Sequence, residues 1–531
     1  MKYYTIFLFY FFSVTVLSAQ SLDLTLQNPY LNEKVKDSNL NFDVWRGEFL
    51  PIIIKLNSAL GDSIHFTFNS NINYSIDIYH LNYVLADLSA GFCGVDKQNG
   101  VFPVKKVPER ALRLENNMFL PDTITNYILL NIKINKDAKK IKHTLQLDVF
   151  QNGISKSKSL SLNVIKRKRI NISSLDFTLD FWQFPISVAD YYAVEPWSTL
   201  HYDYLDTMFD QLKNINQRVV TTSVFWDPYN RKIRDLSHMM IQVKKSKSDT
   251  YSFDYKNFDK YVQSAIDKGV GENISLHNLY PWNNYFFYFD ENLNEVIGFN
   301  TSVNSKDYQE FWGAFLLSFE KHLESNDWLD KVIFYIDERD IESSITLCKF
   351  IHSYNKSFRI GYAGAFDERL SDYIYDYSVP SNIMIPNNVL EKRQREGKRT
   401  TFYTACFGSG ANMLMTSPNY DIPFLLNLAL AKGYDGKLRW AFNYWSSNIM
   451  DNAIYSDVPS GDAHFVYPYN QPSLRYFLIV DSLEDLQKIS FIKSNKKRKK
   501  LLLDFLNPTL LYSEKERQNL VLETKKRLNE K

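Results

Sequence analysis

The sequence is organised around Lys331-Val-Ile-Phe-Tyr-Ile-Asp337-Glu338-Arg339-Asp340. Its β-branched and aromatic run predicts a buried strand, and residues 341–354 have helical spacing. The strand ends abruptly in acids. In a parallel α/β barrel the C-terminal ends of the strands carry the chemistry, so Asp337 and Glu338 are candidate catalytic carboxylates. The alternative is a pair that only stabilises the start of a helix, and the same dipeptide occurs twice more, at Asp290-Glu291 and Asp367-Glu368.

A strand followed by a helix is the repeating pattern of the C-terminal part, residues 174–493. We predict eight strands in it, at residues 175–184, 218–226, 273–282, 331–337, 357–362, 373–379, 400–406 and 437–445. Helical patterns lie between most of these segments. The pattern predicts a (β/α)8, TIM-like barrel. A doubly wound open sheet is the competing architecture, but no glycine-rich phosphate loop follows the first strand.

The N-terminal part, residues 21–168, has the pattern of an all-β domain. Strand patterns occupy residues 49–56, 63–68, 74–79, 143–150 and 160–165. Asn152-Gly153 lies between the last two and suits a tight hairpin turn. We therefore predict an N-terminal β-sandwich, a basic boundary at residues 166–169, and a charged helical tail over residues 494–531.

Composition excludes several classes of protein. The chain has 531 residues, 45% of them apolar, and a formal net charge of +2, which argues against a disordered chain and against a nucleic-acid footprint. A charged start, an apolar run over residues 5–17 and then Ser18-Ala19-Gln20 predict a signal peptide over residues 1–20. We expect cleavage near Gln20 or Ser21, an exported protein that is periplasmic or secreted, and no stable membrane insertion.

The three cysteines are Cys93, Cys348 and Cys406. They are widely separated and odd in number, so they offer neither metal-ligand spacing nor a disulfide framework. At most one bridge is possible, and we expect three separate buried thiols. The sequence also has no motif for other kinds of catalysis. It lacks a paired-histidine or Cys-x-x-Cys metal site, a Gly-x-Ser-x-Gly elbow and a phosphate-binding loop. We expect no metal and no cofactor.

Aromatic and amide side chains accompany the acids at the predicted strand ends. Aromatic faces pack on the apolar faces of sugar rings, while amides and His bind the hydroxyl groups. Any single member of this set is also a reasonable core residue. The predicted substrate-binding residues are Trp182, Trp226, His277, Tyr362, Tyr403, Trp440, Asn443, Tyr444 and Trp445, with Trp282 in the same position on the third strand.

Several longer motifs resemble glycoside hydrolase family 123, the exo-β-N-acetylgalactosaminidases. They are Phe334-Tyr-Ile-Asp337-Glu338, Thr401-Phe-Tyr-Thr-Ala-Cys406, Gly433-Tyr-Asp-Gly-Lys-Leu-Arg-Trp440-Ala-Phe-Asn443-Tyr444-Trp445, Gly461-Asp462-Ala-His-Phe-Val-Tyr467-Pro468, Pro472-Ser-Leu-Arg475 and Ser482-Leu-Glu-Asp485. Trp45-Arg46-Gly47-Glu48 is a less specific likeness in the N-terminal part. The sequence departs from the family pattern at Ala463 and Ser482, neither of which touches the acid pair.

The resemblance implies a two-domain enzyme that releases terminal β-linked N-acetylgalactosamine from glycans by substrate-assisted, retaining hydrolysis. Glu338 would be the general acid and then the base, and Asp337 would hold the acetamide N–H and stabilise an oxazolinium intermediate. Two close carboxylates also tend to raise one pKa, which would keep Glu338 protonated. Three alternatives stay open: another β-N-acetylhexosaminidase specificity, a noncatalytic carbohydrate-binding protein of the same fold, and a structural or adhesion protein built around the sandwich.

Overall fold

The computed structural model describes residues 22–31, 40–70, 74–139, 142–165, 167, 169–229, 234–406, 410–511 and 513–530. The predicted signal peptide, residues 1–20, and part of the basic boundary at 166–169 lie outside these residues. No helix in the described ranges combines the length and the apolar composition that crossing a bilayer requires.

The N-terminal part consists of two five-stranded sheets, with strand orders β1-β3-β8-β5-β6 and β2-β10-β9-β4-β7. The strands are β1 (Asp23–Gln27), β2 (Leu40–Val44), β3 (Phe49–Asn57), β4 (Ile64–Ser70), β5 (Tyr74–Asp87), β6 (Val104–Arg113), β7 (Met118–Phe119), β8 (Thr125–Ile134), β9 (Lys142–Gln151) and β10 (Ile154–Val164), with a short helix α1 (Val95–Asn99) between β5 and β6.

The two sheets bury their facing side chains in one hydrophobic core. Ile54 and Leu130 contribute from the first sheet, and Leu147 and Leu162 contribute from the second. Strand β9 alternates buried and exposed residues, as the period of two requires, whereas β3 and β8 bury side chains on both faces of the first sheet. The predicted hairpin is confirmed, because β9 and β10 pair in antiparallel fashion around a turn in which Asn152 and Gly153 have φ of 50° and 71°.

The C-terminal part contains a parallel sheet of eight strands in the order β11-β22-β21-β20-β19-β18-β15-β12. All eight predicted segments hold one of these strands. The strands from here on are β11 (Thr178–Phe181), β12 (Val219–Ser223), β13 (Gln242–Lys245), β14 (Tyr251–Asp254), β15 (Asn273–His277), β16 (Tyr285–Asp290), β17 (Glu295–Asn300), β18 (Val332–Asp337), β19 (Arg359–Ala363), β20 (Asp376–Pro380), β21 (Arg399–Tyr403), β22 (Gly436–Arg439), β23 (Val466–Tyr467) and β24 (Gln471–Pro472).

The sheet is a nearly closed barrel, since the first strand pairs with the last. A doubly wound sheet would reverse its strand order in the middle, and this order does not reverse. The seam lies between β11 and β12, two described strands that share no backbone ladder. Two glutamine side chains bridge the seam: Gln217 accepts from Phe181 N at 3.0 Å and donates to Phe181 O at 2.9 Å, while Gln183 Oε1 accepts from Thr221 N at 2.7 Å.

Helices follow most of the barrel strands. They are α2 (Pro185–Tyr192), α3 (Thr199–Asn214), α4 (Lys256–Lys268), α5 (Lys306–Ser325), α6 (Ile341–Tyr354), α7 (Glu368–Ser371), α8 (Asn387–Arg395), α9 (Asp421–Lys432) and α10 (Leu474–Ser490). The insertion around β15 was not predicted from the sequence, and in it β14, β13, β16 and β17 form a separate four-stranded sheet.

The charged C-terminal tail is helical and anchored, with α11 (Asn495–Leu502) and α12 (Glu514–Asn529). Arg517 is buried and its Nε donates to Asp421 of α9 at 2.7 Å. Lys525 Nζ lies 2.6 Å from the carboxylate of Asp481 in α10. The tail therefore packs against the helices of the barrel.

The expectation of three separate thiols is wrong. Cys93 and Cys406 form a disulfide with a Cα–Cα distance of 5.7 Å, and only Cys348 of the three is free and buried. The two half-cystines are 313 residues apart in the chain. They meet because the β5–β6 connection folds against the loop after β21, a tertiary contact that spacing along the sequence does not reveal.

Candidate active site

Asp337 and Glu338 lie at the C-terminal end of β18, as predicted. Asp337 pairs with Ala363 of β19, and the next backbone N–H, that of Glu338, donates to Ala363 O at 2.7 Å. Along a regular strand, Glu338 would point to the opposite face from Asp337. Glu338 instead adopts a left-handed conformation with φ of 47°. This unfavourable backbone geometry lets both carboxylates line one cavity.

The start of α6 is capped by a different acid. Asp340 Oδ1 accepts from Ser343 N at 2.8 Å, and Asp340 Oδ2 accepts from Tyr280 OH at 2.9 Å. The helix-start role that sequence alone allows for the acid pair therefore belongs to Asp340.

The cavity has a volume of about 300 Å³ at the C-terminal mouth of the barrel. Trp282 Nε1 donates to Asp337 Oδ2 at 3.1 Å, and Tyr229 also hydrogen-bonds the Asp337 carboxylate. Tyr403 OH donates to Glu338 Oε1 at 2.6 Å. The complete lining is Tyr229, Trp282, Asp337, Glu338, Ala363, Tyr403, Thr404, Ala405, Cys406, Leu438, Trp440, Val458 and Asp462.

The electrostatics of the cavity change the pKa of Asp337. Burial, and then the charge of Glu338, raise the pKa of Asp337 to about 7. Hydrogen bonds from Trp282 and Tyr229 and the charge of Arg339 oppose this rise. Near neutral pH the cavity therefore holds a carboxyl group that is poised between its two protonation states. This raised pKa belongs to Asp337, whereas from the sequence we expected it on Glu338.

The opposite wall is supported by a buried ion pair. Trp440 Nε1 donates to one oxygen of Asp462, and Arg439 pairs with the other. Arg439 Nη1 also donates to Thr404 O at 3.1 Å and to Asn412 Oδ1 at 3.1 Å. Because these neighbours hold the indole N–H and its acceptor in place, Trp440 has a fixed orientation beside the acids.

The structure brings four of the predicted site residues to the cavity, Asp337, Glu338, Tyr403 and Trp440, and Trp282 joins them. Two other lining residues, Tyr229 and Asp462, were not predicted as contacts. Asp462 belongs to one of the family-like motifs, whereas Tyr229 lies in a loop beyond the second strand and carries no periodic signal.

Trp182, Trp226 and His277 are buried instead. Trp182 packs edge-on against His277, with ring centroids 4.5 Å apart, inside the barrel. Burial lowers the pKa of His277 to about 3, so this ring is neutral at physiological pH. Trp226 packs against Phe287 with ring centroids 4.9 Å apart, and its indole N–H donates to Asp235 O.

The remaining predicted residues bind the protein itself. Tyr362 OH donates to Arg339 O at 2.9 Å, and Trp445 Nε1 donates to Val466 O at 2.8 Å. Asn443 Oδ1 accepts from Phe184 N at 3.0 Å. Tyr444 packs on Phe184 and on Trp440, so it supports the cavity wall without being part of the lining.

One cluster of acids within the described residues has the spacing of metal ligands: Glu48, Asp481 and Glu484. It lies between the N-terminal sheets and the barrel. Lys488 Nζ is 2.6 Å from Glu48 Oε1, and Lys525 Nζ is 2.6 Å from Asp481 Oδ2. These two ammonium groups supply the positive charge that a bound cation would supply, and the cluster is an ionic contact between the parts of the chain.

A barrel with paired carboxylates and aromatic walls at its C-terminal mouth has the features of a glycoside hydrolase. The profile described as "Glycoside hydrolase 123, catalytic domain" matches residues 182–492. The chain belongs to glycoside hydrolase family 123. A search of the curated proteins found no significant match.

Among solved structures, the chain is similar to a family 123 glycoside hydrolase from Clostridium perfringens, which is described in connection with the hydrolysis of glycolipid glycans. The identity is 22% and the TM-score 0.80, over 96% of this chain and 97% of that one. Two β-glucuronidases match less well. The one from Parabacteroides merdae has 9% identity and a TM-score of 0.32 over 87% of this chain and 52% of that one. The one from Bacteroides uniformis has 10% identity and a TM-score of 0.30 over 86% and 52%.

Proposed function

We propose that this protein releases terminal β-linked N-acetylgalactosamine from glycans by substrate-assisted hydrolysis with retention of configuration. One observation carries the proposal: two consecutive residues, Asp337 and Glu338, present both carboxylates to the same small cavity. Ordinary retaining glycosidases use two carboxyl groups about 5–5.5 Å apart that flank the scissile bond. Neighbours on one strand end are poorly placed to flank it. They suit a reaction in which the 2-acetamido oxygen of the substrate is the nucleophile.

Glu338 is the acid and then the base in this mechanism. It donates its proton to the glycosidic oxygen while the acetamide oxygen attacks the anomeric carbon, so that one C–O bond breaks as another forms. It then accepts a proton from the water that opens the oxazolinium ring and restores the acetamide. The Tyr403 hydroxyl, 2.6 Å from Glu338 Oε1, orients this carboxyl group.

Asp337 holds the acetamide N–H and stabilises the positive charge that develops on the ring. Its pKa of about 7 means that the ionised form is costly before the reaction begins. A developing positive charge beside it favours that form. The interaction is therefore stronger in the transition state than in the ground state, which is the condition for catalysis.

The cavity walls support a sugar substrate of limited size. Trp282 and Trp440 provide aromatic faces next to the acids, and about 300 Å³ is at the small end of ligand pockets. Such a cavity accommodates a terminal sugar better than an internal chain segment. Glycolipid glycans, described for the Clostridium perfringens relative, are one source of such termini that we propose for this protein.

Export is part of the same proposal. The sequence of residues 1–20 supports it, and so does the Cys93–Cys406 disulfide, because disulfides persist mainly in oxidising compartments. The periplasm and the cell exterior also give access to glycans.

The first test compares an aryl β-N-acetylgalactosaminide with the aryl β-galactoside and with the gluco epimer. We expect turnover only where the 2-acetamido group is present, because the enzyme supplies no nucleophile of its own. Comparable turnover of the β-galactoside would refute the mechanism. Preferred turnover of the gluco epimer would replace the proposed specificity by that of another β-N-acetylhexosaminidase.

The second test separates the two acids with a series of leaving groups. Glu338→Gln removes the proton donor, so substrates with poor leaving groups should lose about 10²–10⁴ in kcat/KM, while acidic aryl leaving groups are partly spared. Asp337→Asn should slow both kinds of substrate by about 10²–10³. If only Asp337→Asn is rescued by good leaving groups, the two roles are reversed.

A further inference from the structure

The connection between β5 and β6, taken together with Val104 at the start of β6, exposes an unusual amount of apolar surface. Five large hydrophobic side chains of this 88–104 loop are exposed to solvent, to fractions of 43% for Leu88, 47% for Phe92, 68% for Val95, 99% for Val101 and 56% for Val104. Phe92 also contacts Phe102, with ring centroids 5.0 Å apart, so the two aromatic side chains form one apolar surface in the loop. Contiguous apolar patches of this kind mark interaction sites more often than ordinary surface.

The loop buries its lysine while it exposes its apolar residues. Lys97 is only 6% exposed, pairs with the buried Asp87 and donates to Tyr455 O at 3.1 Å. Leu88 N also donates to Pro103 O at 2.9 Å. These bonds hold the loop in one shape. Its apolar side chains are therefore displayed by a rigid frame, and a partner that covers them does not have to order the loop.

The same frame joins the loop to the rim of the active site. Cys93 is bonded to Cys406, which lines the cavity, and Gly91 N donates to Cys406 O at 3.1 Å. Gly94 N donates to Asp457 O at 2.8 Å, next to the lining residue Val458. Whatever binds the apolar surface is consequently held beside the mouth of the cavity.

We propose that the 88–104 loop docks this enzyme on the surface of a lipid bilayer, with the valines and Phe92 inserted among the acyl chains. The charges beside the loop fit this partner. Lys105 and Lys106 follow Val104 directly and are exposed, and Asp96 is the exposed acid within the loop. Lysines at the edge of an inserted apolar surface contact lipid headgroups, and anionic lipids strengthen their attraction. Docking of this kind is peripheral and needs no membrane-spanning helix.

The experiment measures binding of the full mature chain to phosphatidylcholine vesicles, with and without phosphatidylglycerol, by flotation. We expect wild-type protein to float with the vesicles, more strongly with phosphatidylglycerol. The double variant Val95→Asp/Val101→Asp should lose about tenfold or more in the partition coefficient, because both side chains leave water on insertion. Val101→Trp should bind more tightly, since Trp favours the interface.

The matched control is Val296→Asp, an exposed valine in β17 that is 50% accessible and lies outside the loop. It should bind vesicles like wild type, and thermal melts check that all variants fold. The proposal is overturned if wild type stays in solution, if Val95→Asp/Val101→Asp floats like wild type, or if Val296→Asp weakens floating equally. It is also overturned if wild type does not float but forms a dimer in light scattering, and the double variant is a monomer. A second copy of the chain would then be the partner.

Vesicle binding is independent of the reaction proposed above. Hydrolysis of a soluble aryl glycoside by Val95→Asp/Val101→Asp should equal that of wild type, because neither valine lines the cavity and the loop supports it through Cys93. Absence of hydrolysis in wild type would refute the proposed function and leave the flotation result to decide the docking surface.

Discussion

Replacement of Asp337 by Asn isolates the energetic cost of keeping one carboxylate in the cavity. The pKa of Asp337 is raised from 3.8 to about 7 in the folded protein, chiefly by burial. Between these two pH values the folded state holds a proton that the unfolded state has released. The contribution of Asp337 to the unfolding free energy therefore falls as pH rises from about 4 to about 7, and the loss is complete above pH 7. Asn has no charge to bury, so Asp337→Asn should be the more stable protein at pH 8.

The shift from 3.8 to about 7 limits the size of this effect. It corresponds to at most ~4 kcal/mol of unfolding free energy. Asp337 is partly accessible in the cavity and accepts a hydrogen bond from Trp282, so solvent and this bond reduce the penalty. We expect Asp337→Asn to gain on the order of 1–2 kcal/mol at pH 8 relative to pH 5.

The assay is urea unfolding of wild type and variants at pH 5 and pH 8. The control is Asp340→Asn, three residues away. Burial acts to raise the pKa of Asp340, but hydrogen bonds from Ser343 and Tyr280 outweigh it and hold the pKa below 3.8. Asp340 is therefore ionised in both states at both pH values, and its replacement should change stability equally at pH 5 and pH 8. If Asp337→Asn also shows equal changes at the two pH values, the carboxylate is not penalised by the cavity and the reasoning fails.

Three further predictions concern the cavity wall, the disulfide and the N-terminus. Trp440→Phe keeps an aromatic face but loses the bond to the buried Asp462, so kcat/KM should fall about tenfold and thermal stability should also fall, because one Asp462 oxygen loses its donor; an unchanged kcat/KM would show that the bond does not matter for activity. Cys93→Ser should lose roughly 2–5 kcal/mol of stability, measured by urea unfolding, and a reductant should have the same effect on wild type but no further effect on the variant. N-terminal sequencing of exported protein should begin near Gln20, whereas a mature chain that still starts at Met1 would contradict export by a cleaved signal.

The barrel was predictable from the sequence because most of its strands, such as Val332–Asp337, are short runs rich in apolar, aromatic or β-branched residues between helical patterns. The inserted sheet was not, since strands such as Glu295–Asn300 are largely exposed and Gln242–Lys245 carries two lysines. Neither has a strong apolar signal of its own, and each is stabilised by pairing with its neighbours. The bridging of the seam by Gln183 and Gln217 has no sequence signature at all.

Two of the predicted sugar-binding residues do not line the cavity, and in both cases the sequence placed the end of the strand too late. The segment 218–226 contains a strand that ends at Ser223, and the segment 437–445 contains one that ends at Arg439. Trp226 and Asn443 therefore lie beyond the strand ends. Apolar runs continue past these strands because the following loop residues also pack into the core, and periodicity cannot distinguish the two situations. Tyr403 is the last residue of β21 and Trp440 the first one after β22, and both line the cavity. The same positions on β15 and β11 hold His277 and Trp182, which are buried inside the barrel, so the position at a strand end does not by itself identify a cavity residue.

The three Asp-Glu pairs of the chain have the same sequence but different backbone conformations and different hydrogen-bond partners. Asp290 accepts from the backbone N–H groups of a turn, and Asp367 caps α7, so each satisfies local donors as sequence alone would suggest. Asp337 is the last residue of β18 and faces the inside of the barrel. The left-handed conformation of Glu338 turns the next carboxylate to the same side. That conformation costs on the order of 1 kcal/mol for a residue with a side chain. The hydrogen bond from Glu338 N to Ala363 O helps to hold it. The barrel therefore holds a strained residue that brings two carboxyl groups together. This feature distinguishes the pair as a candidate catalytic site.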